Sequence, residues 1–363
     1  MNLSGLLLKE GVVLEQDLIR QLHLEIMSYI DPGLKHTLKK LGVRVECCIE
    51  ANQAIQVRLK CPYTVHDLDQ WSAELKGALN ASIPNLTGPI HLEIELQSVA
   101  RQTVQAPKHP RIANMIAVLS GKGGVGKSTV TTNLAVVLQR QGWRVGILDA
   151  DVHGPSQLLM LGAQVDSSSE AVMEAHGLQL ASMGAYLDPG QPAAWRGPMA
   201  SKALQSLFQQ TQWNELDYVL VDCPPGTSDI ILSLASGLPV VAGLLVTTPQ
   251  LAAVIDAERA GQLMKQLSMP ILGVVENMSA THCAKCGTRQ VMLGAGGGEA
   301  LADHLGLECW AQLPLDPRVT SGGDQGMPVG LQDSMYDALG HHLTQRIALL
   351  KKYNPLSSVT AES

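Results

Sequence analysis

A glycine-rich stretch with two lysines, Gly-Lys-Gly-Gly-Val-Gly-Lys-Ser at residues 121–128, constrains this chain more than any other feature. It matches the phosphate-binding pattern G-x-x-x-x-G-K-[ST] at every position. The apolar run 115–120 before it has strand character, and residues 129–140 after it repeat apolar side chains at helical spacing. A strand that leads through such a loop into a helix directs backbone N–H groups and the positive end of the helix dipole at one anion. The stretch therefore predicts a nucleotide-phosphate loop in an α/β fold.

Each side chain of this loop has a task that its chemistry suggests. Lys127 is expected to neutralise the β- and γ-phosphates of a nucleotide, and Ser128 is expected to bind Mg²⁺. The glycines allow backbone N–H groups to close around the phosphates. The predicted nucleotide-binding residues of the loop are Gly121, Lys122, Gly123, Gly124, Val125, Gly126, Lys127, Ser128 and Thr129.

Two further apolar runs end in acidic side chains. Residues 144–148 lead into Asp149 and Asp151, and residues 218–221 lead into Asp222. Open α/β sheets bind their ligands at the carboxyl ends of the strands, so these carboxylates are expected beside the phosphate loop. Asp222 has the layout of a Walker B carboxylate, which reaches Mg²⁺ through its water shell.

A cysteine pair, Cys283 and Cys286, follows the apolar run 271–275, and Gly287 comes directly after it. Two cysteines three residues apart can turn both thiolates toward one metal centre. The pair alone is compatible with a redox dithiol, half of a zinc site or an iron–sulfur site. A 4Fe–4S cluster or a structural zinc ion generally takes four protein ligands. If no other cysteine lies near, the missing ligands would come from a second chain across a two-fold axis.

The N-terminal part, residues 1–98, has the pattern of a small α+β domain. The elements predicted there are a helix at 13–27, two alternating strands at 43–49 and 55–61 joined as a hairpin, a helix at 67–80 and a strand at 92–96. The polar, proline-containing segment 99–111 is predicted to be a linker. The α/β domain with the phosphate loop is expected to extend over 112–350, with the glycine-rich segment 164–198 irregular, and 351–363 are expected to form a flexible tail.

Composition argues against several classes of function. The chain has 363 residues and a formal net charge of -7, which disfavours nucleic acid as the main partner. It has no apolar stretch of the roughly 20 residues that span a bilayer, and its N-terminus lacks an export signal. We therefore expect a cytoplasmic protein without a membrane partner. Its seven cysteines, an odd number, are expected to be reduced thiols or metal ligands.

The phosphate loop with its additional lysine, Lys122, resembles the deviant P-loop of a superfamily of ATPases. That superfamily includes nitrogenase iron protein, cell-division and plasmid-partition ATPases, and the Mrp/ApbC iron–sulfur carriers. A series of motifs from about residue 112 to 343, with the segment 149–156 and the C-x-x-C pair among them, is similar to the Mrp/ApbC family. The chain departs from that family at Ala284, where proline is usual, and at Ser228, where glycine is usual.

The resemblance implies roles for several residues. Lys122 would reach the nucleotide of a partner subunit and offset charge that develops on the γ-phosphoryl group, so that Lys122, Lys127 and Asp151 are the expected catalytic residues. Asp151 would orient or deprotonate the attacking water, and Asp149 would support the magnesium shell. Asn277, at the end of a predicted strand, would hydrogen-bond the adenine base, because its amide offers both a donor and an acceptor.

The resemblance also implies a mainly parallel sheet covered by helices on both faces, and a function. The expected protein is a homodimer that binds ATP and Mg²⁺, hydrolyses ATP slowly, and holds a 4Fe–4S cluster between two subunits through Cys283 and Cys286. It would receive the cluster from upstream donors and pass it to apo iron–sulfur proteins. Residues 1–98 resemble, more loosely, the small domain that precedes many such ATPases. That domain often carries a cysteine at the position of Cys61. The alternative is that Cys61 is a small apolar residue packed in the core.

Two other functions fit parts of the sequence. One is a spatial-positioning ATPase of the cell-division or partition type, whose membrane form would need a basic amphipathic helix at residues 336–350. The other is a dimeric ATPase stapled by zinc and without cluster transfer, because thiolate sulfur suits both zinc and iron.

Overall fold

The structure is a computed structural model. It describes residues 3–50, 54–83, 86, 88–101, 108–152, 154–164, 173–186, 197–226 and 237–350. The predicted tail 351–363, residues 102–107 of the predicted linker, and Ser228 lie outside the described residues. Within these ranges the chain divides into two compact units, the first from residues 3–99 and 344–350 and the second from residues 100–343.

The first unit is a three-stranded sheet with helices. Its elements are α1 Leu3–Ser28, α2 Leu38–Leu41, β1 Arg44–Ile49, β2 Ile55–Cys61, α3 Leu68–Ser82 and β3 Ile90–Leu96. Strand β2 is central, antiparallel to β1 as the predicted hairpin requires and parallel to β3. Alternate residues of β2 are buried, and they share one hydrophobic core with α1 and α3. The period of two in the sequence thus places one face of the sheet against the helices.

The second unit contains the phosphate loop. Its elements are β4 Ile112–Ser120, α4 Lys127–Arg140, β5 Val145–Asp149, α5 Gln157–Met160, β6 Met173–Ala175, β7 Leu178–Ser182, α6 Gly197–Gln210, β8 Leu216–Asp222, β9 Val240–Thr247, α7 Leu251–Gln266, β10 Ile271–Glu276, β11 Thr281–His282, β12 Arg289–Gln290, α8 Gly297–Leu305, β13 Cys309–Gln312 and α9 Pro317–Asp324. The last helix, α10 Asp337–Leu349, belongs to the second unit up to residue 343 and to the first unit from residue 344.

Eight of these strands form one sheet in the order β13-β10-β9-β4-β8-β5-β7-β6. Every neighbouring pair in it is parallel except β6 and β7. Strands β5, β8 and β9 are buried along their whole length, which is typical of a parallel sheet with helices on both faces. The predicted fold class is confirmed. Because β4 lies at the centre between β8 and β9, its carboxyl end has a neighbouring strand end on either side.

One prediction about the second unit was wrong. Residues 164–198 were expected to be irregular, but the described part contains strands β6 and β7 and the start of α6. Strand β7 is fully buried, yet it has only five residues, Leu-Gln-Leu-Ala-Ser, and two of them are polar. Such a short segment has no clear period of its own, so its pairing with β5 decides its structure.

Candidate functional site

The phosphate loop between β4 and α4 is closely packed on one side and open on the other. A side-chain carbon added to Gly121 would lie 2.0 Å from the backbone carbon of Asp256 on α7. Gly124 and Gly126 both have φ near +82°, a conformation that glycine adopts without strain. A carbon added to Gly124 would meet nothing within 4 Å, so this part of the loop borders open space. The loop therefore has the shape that backbone N–H groups need to approach phosphates.

Lys127 and Asp222 form a buried ion pair at the start of α4. The Lys127 ammonium contacts the Asp222 carboxylate, and their side chains are only 6% and 0% exposed. The same ammonium lies 3.4 Å from the Ser128 hydroxyl. An uncompensated carboxylate at this depth would be costly, and the contact with Lys127 compensates the charge of Asp222.

Asp149 lies directly opposite Asp222 in the register of β5 and β8. It is fully buried and accepts hydrogen bonds from the backbone N–H groups of Asp151 and Gln157, at 3.3 and 3.2 Å, and from the Ser182 hydroxyl at 3.1 Å. Burial, and then the negative charge of Asp222, raise the pKa of the Asp149 carboxyl. The Lys127 ammonium contacts Asp222, and one lysine does not compensate two ionised carboxylates, so a further cation can be held here.

The residues at this point fit Mg²⁺. The Ser128 hydroxyl and the carboxylates of Asp149 and Asp222 are oxygen donors, which this ion prefers. All three come from the carboxyl-terminal edge of neighbouring strands or from the helix that begins there, as the sequence predicted. Asp151 follows Asp149 by two residues, and its carboxylate accepts a 3.3 Å hydrogen bond from the Gly154 N–H.

Lys122 is half-buried near the start of the loop. The Ser120 hydroxyl donates a 3.1 Å hydrogen bond to its carbonyl oxygen, which fixes the backbone from which this lysine projects.

Gln157 is a buried residue of the site that the sequence motifs did not indicate. Its side-chain amide donates to the Asp222 carboxylate at 2.8 Å and to the carbonyl oxygen of Ser128 at 3.1 Å. Its amide oxygen accepts from the Thr132 hydroxyl at 2.7 Å. One weak signal was present, a polar residue directly before the apolar residues 158–160.

Asn277 follows β10 and contacts the phosphate loop. Its side-chain amide donates a 2.9 Å hydrogen bond to the carbonyl oxygen of Val125, and its backbone N–H donates to Thr247 at 2.7 Å. The family resemblance implies the adenine base as its partner, and no local pattern in the sequence indicates the Val125 contact. The next residue, Met278, has φ of 56°, which is unusual for a side chain of this size.

The cysteine pair lies at the tip of a small hairpin. Strands β11 and β12 pair antiparallel below it, and the backbone N–H of Gly287 donates to the carbonyl oxygen of Cys283 at 2.8 Å. Cys283 is half-buried and Cys286 is exposed. The Cys286 sulfur lies 3.1 Å from the Thr288 hydroxyl oxygen. The hydroxyl and then the backbone N–H of Thr288 lower the pKa of the Cys286 thiol.

No metal-holding group among the described residues adds another cysteine to this pair. Cys61 is fully buried in the core of the first unit, where burial raises the pKa of its thiol to about 12, so in this structure it is a packed thiol. Burial also raises the pKa of Cys223, which follows Asp222. In the described ranges no group of three or more His, Cys, Asp or Glu side chains is arranged to hold a metal ion. One chain therefore offers two sulfur ligands at the hairpin.

Helix α10 does not present a free apolar face. Leu339, Leu343 and Ile347 line one side of it and are at most 1% exposed. A membrane-binding helix of the spatial-positioning type would need these side chains at the surface. Among the helices that the structure describes, none has the length and apolar character that crossing a bilayer requires.

Known proteins similar to this chain include P-loop NTPases and iron–sulfur cluster carrier proteins. The family model described as ParA, NUBPL iron-transfer P-loop NTPase, matches residues 111–348. An iron–sulfur cluster carrier protein of Pseudomonas fragi is 43% identical over 265 residues, which cover 70% of this chain and 92% of the relative. One from Escherichia coli (strain K12) is 36% identical over 334 residues, 89% of each chain. A nucleotide-binding protein from Archaeoglobus fulgidus in complex with ADP superposes with a TM-score of 0.52 and 32% identity, covering 63% of this chain and 91% of that one.

Proposed function

This chain belongs to the NUBPL iron-transfer family of P-loop NTPases, and on that premise we propose that it is an ATP-hydrolysing carrier of 4Fe–4S clusters. It binds the cluster between two copies of itself, receives it from upstream donors and passes it to apo iron–sulfur proteins. The relatives that carry the name iron–sulfur cluster carrier, at 36% and 43% identity, support this proposal.

The observation that carries the proposal is the hairpin tip with Cys283 and Cys286. Cys286 is exposed and Cys283 is half-buried, and the described residues contribute no further ligand group beside them. A 4Fe–4S cluster generally takes four protein ligands, so two copies of the hairpin complete the set. A cluster held at an exposed tip is also reachable by a recipient protein, which a carrier requires.

In the proposed nucleotide site, the loop amides and Lys127 bind the phosphates of ATP. Lys127 exchanges its contact with Asp222 for the β- and γ-phosphates, and Ser128, Asp149 and Asp222 hold Mg²⁺. When bound, this ion neutralises charge on the β- and γ-phosphate oxygens. Asp151 orients the attacking water. Lys122 of the partner subunit contacts the γ-phosphate, and Asn277 contacts the adenine.

The proposal extends to domain organisation and location. We assign residues 1–98 to a small α+β domain, 99–111 to a linker, 112–350 to the ATPase domain and 351–363 to a tail. All seven cysteines are free thiols in the structure, which is typical of the reducing cytoplasm, where we place the protein.

Anaerobic reconstitution with iron and sulfide tests the cluster site. We expect about two iron atoms and two sulfides per protomer, brown colour, and a dimer by light scattering, because four iron atoms are shared by two chains. The double variant Cys283→Ala/Cys286→Ala should lose the iron and the loaded dimer but keep nucleotide binding. Cys48→Ala, which removes another exposed cysteine, is the matched control and should load normally.

Two results would refute the proposal. Full iron and sulfide on a strict monomer would show that one chain supplies all the ligands. A colourless dimer that holds zinc at the same cysteines, and that never accepts iron, would support the zinc-stapled alternative instead.

A further inference from the structure

Gln157 occupies an unusual position for an uncharged polar side chain. It is the first residue of α5 and is 0% exposed, although its amide has two hydrogen-bonding ends that must be satisfied inside the protein. It follows Asp149 by eight residues, at the end of the segment 149–156.

The contacts of Gln157 join three elements of the nucleotide site. Its amide nitrogen reaches the Asp222 carboxylate of β8 at 2.8 Å and the Ser128 carbonyl oxygen of α4 at 3.1 Å. Its backbone N–H donates to the Asp149 carboxylate of β5 at 3.2 Å. Its amide oxygen accepts from Thr132, also on α4, at 2.7 Å. One residue thus contacts both buried carboxylates and the helix that follows the phosphate loop.

Only a side chain with a donor and an acceptor end can make these contacts together. A glutamate here would place a further negative charge beside Asp222, and an apolar side chain would leave Thr132 and one carboxylate oxygen without these partners. One carboxylate oxygen of Asp222 contacts the Lys127 ammonium, and the other accepts a hydrogen bond from the Gln157 amide. If Lys127 turns to a phosphate, Gln157 still holds the other oxygen of Asp222.

We propose that Gln157 is a positioning residue of the magnesium site, which fixes the orientation of the Asp222 carboxylate and ties it to Asp149 and to α4. This inference rests on the magnesium and nucleotide part of the proposed function and is independent of cluster carriage. Residues that orient metal-binding side chains commonly change metal affinity by 10- to 100-fold when they are replaced.

The test measures the affinity of a fluorescent ADP analogue with Mg²⁺ and with EDTA, in the full-length protein. The variant Gln157→Met keeps the length of the side chain and removes the amide. The magnesium factor is the ratio of the affinity with Mg²⁺ to the affinity in EDTA. We expect this factor to fall by about 10-fold in the variant, while the affinity in EDTA stays within about twofold of the wild type. The matched control is Gln179→Met. Gln179 lies in β7 and is also buried, but its amide oxygen accepts from the backbone N–H of Asn214. It should leave the magnesium factor unchanged.

A second variant tests the same inference if Gln157→Met does not fold. Thr132→Val removes the hydroxyl that holds the amide oxygen of Gln157, so we expect a smaller fall of the same magnesium factor. An unchanged factor in both variants, or an equal loss of affinity with and without Mg²⁺, would overturn the inference. If the wild type itself shows no effect of Mg²⁺ on nucleotide affinity, the proposed magnesium site fails, and iron loading at Cys283 and Cys286 is tested separately.

Discussion

The side-chain amide of Asn277 donates a 2.9 Å hydrogen bond to the carbonyl oxygen of Val125, inside the phosphate loop. The fit is tight, because a carbon added to Gly126 would lie 2.2 Å from the same amide nitrogen. Asn277 follows β10 directly, and Cys283 lies six residues further along the chain. The phosphate loop and the cysteine hairpin are therefore both connected to the end of one strand.

Replacing Asn277 with alanine should weaken nucleotide binding. The loop loses a buried hydrogen bond, which contributes about 1 kcal/mol, and the nucleotide then has to order the loop at this cost when it binds. We therefore expect roughly a fivefold lower affinity for ADP in titration calorimetry. Asn114→Ala is the control. Asn114 is buried in β4, away from the loop, and its side-chain amide donates a hydrogen bond to the backbone carbonyl oxygen of Asp217. It should lower the melting temperature without changing nucleotide affinity. Equal affinities of the Asn277 variant and the wild type would contradict this role of the contact.

The buried carboxyl of Asp149 should make stability depend on pH. Its pKa is raised in the folded protein, so the folded chain keeps a proton that the unfolded chain releases above about pH 4. The free energy of unfolding should therefore fall as pH rises from that point toward the folded pKa. Asp149→Asn, which cannot ionise, should give a flatter dependence in urea titrations between pH 5 and 8 with EDTA present. Parallel curves for the variant and the wild type would refute this prediction.

Thr288 should increase the reactivity of Cys286. The Thr288 hydroxyl and backbone N–H lower the pKa of this thiol, so more thiolate is present near neutral pH. Since a more acidic thiol is also a weaker nucleophile, we expect Thr288→Val to slow alkylation of Cys286 only a few-fold at pH 7. Lys285 separates the two cysteines, so trypsin releases them on different peptides for mass spectrometry.

A valine at Thr281, in the same hairpin, is the control for this experiment. Thr281 lies in β11 opposite Gln290 and should not affect the rate at Cys286. A rate that is the same in the Thr288 variant and the wild type would show that the 3.1 Å contact has no effect on the thiol.

The sequence predicted those parts of the site that local patterns encode. The phosphate loop depends on glycines and a lysine within eight residues, and Asp222 ends a run of apolar residues, so each can be recognised without the rest of the fold. Gln157 could not be recognised in this way, because its partners Asp222 and Thr132 lie 65 and 25 residues away. The second contact of Asn277 was missed for the same reason, since Val125 is 152 residues away.

Short elements were not predicted, for a different reason. The cysteine hairpin has strands of two residues each, which are too short for any alternation to be visible. The closing hydrogen bonds of Cys283 and Gly287 determine its shape instead. The sequence therefore showed the cysteine pair as a motif and predicts it as a ligand pair, while its position at a hairpin tip required the structure.

Complementation between two inactive variants should show whether Lys122 acts across the dimer. In the proposed function, Lys122→Ala removes the lysine that a subunit lends to its partner, and Asp151→Asn removes the residue that orients water in its own site. In a mixed dimer, the Lys122→Ala subunit keeps its own Asp151 and receives Lys122 from the other chain, so one of the two sites is complete. Random exchange makes half of the dimers mixed, and we expect about a quarter of the wild-type ATPase activity to return. Each variant alone should remain inactive at the same total concentration. If Lys122 serves its own nucleotide, neither site of the mixed dimer is complete, and mixing will restore no activity.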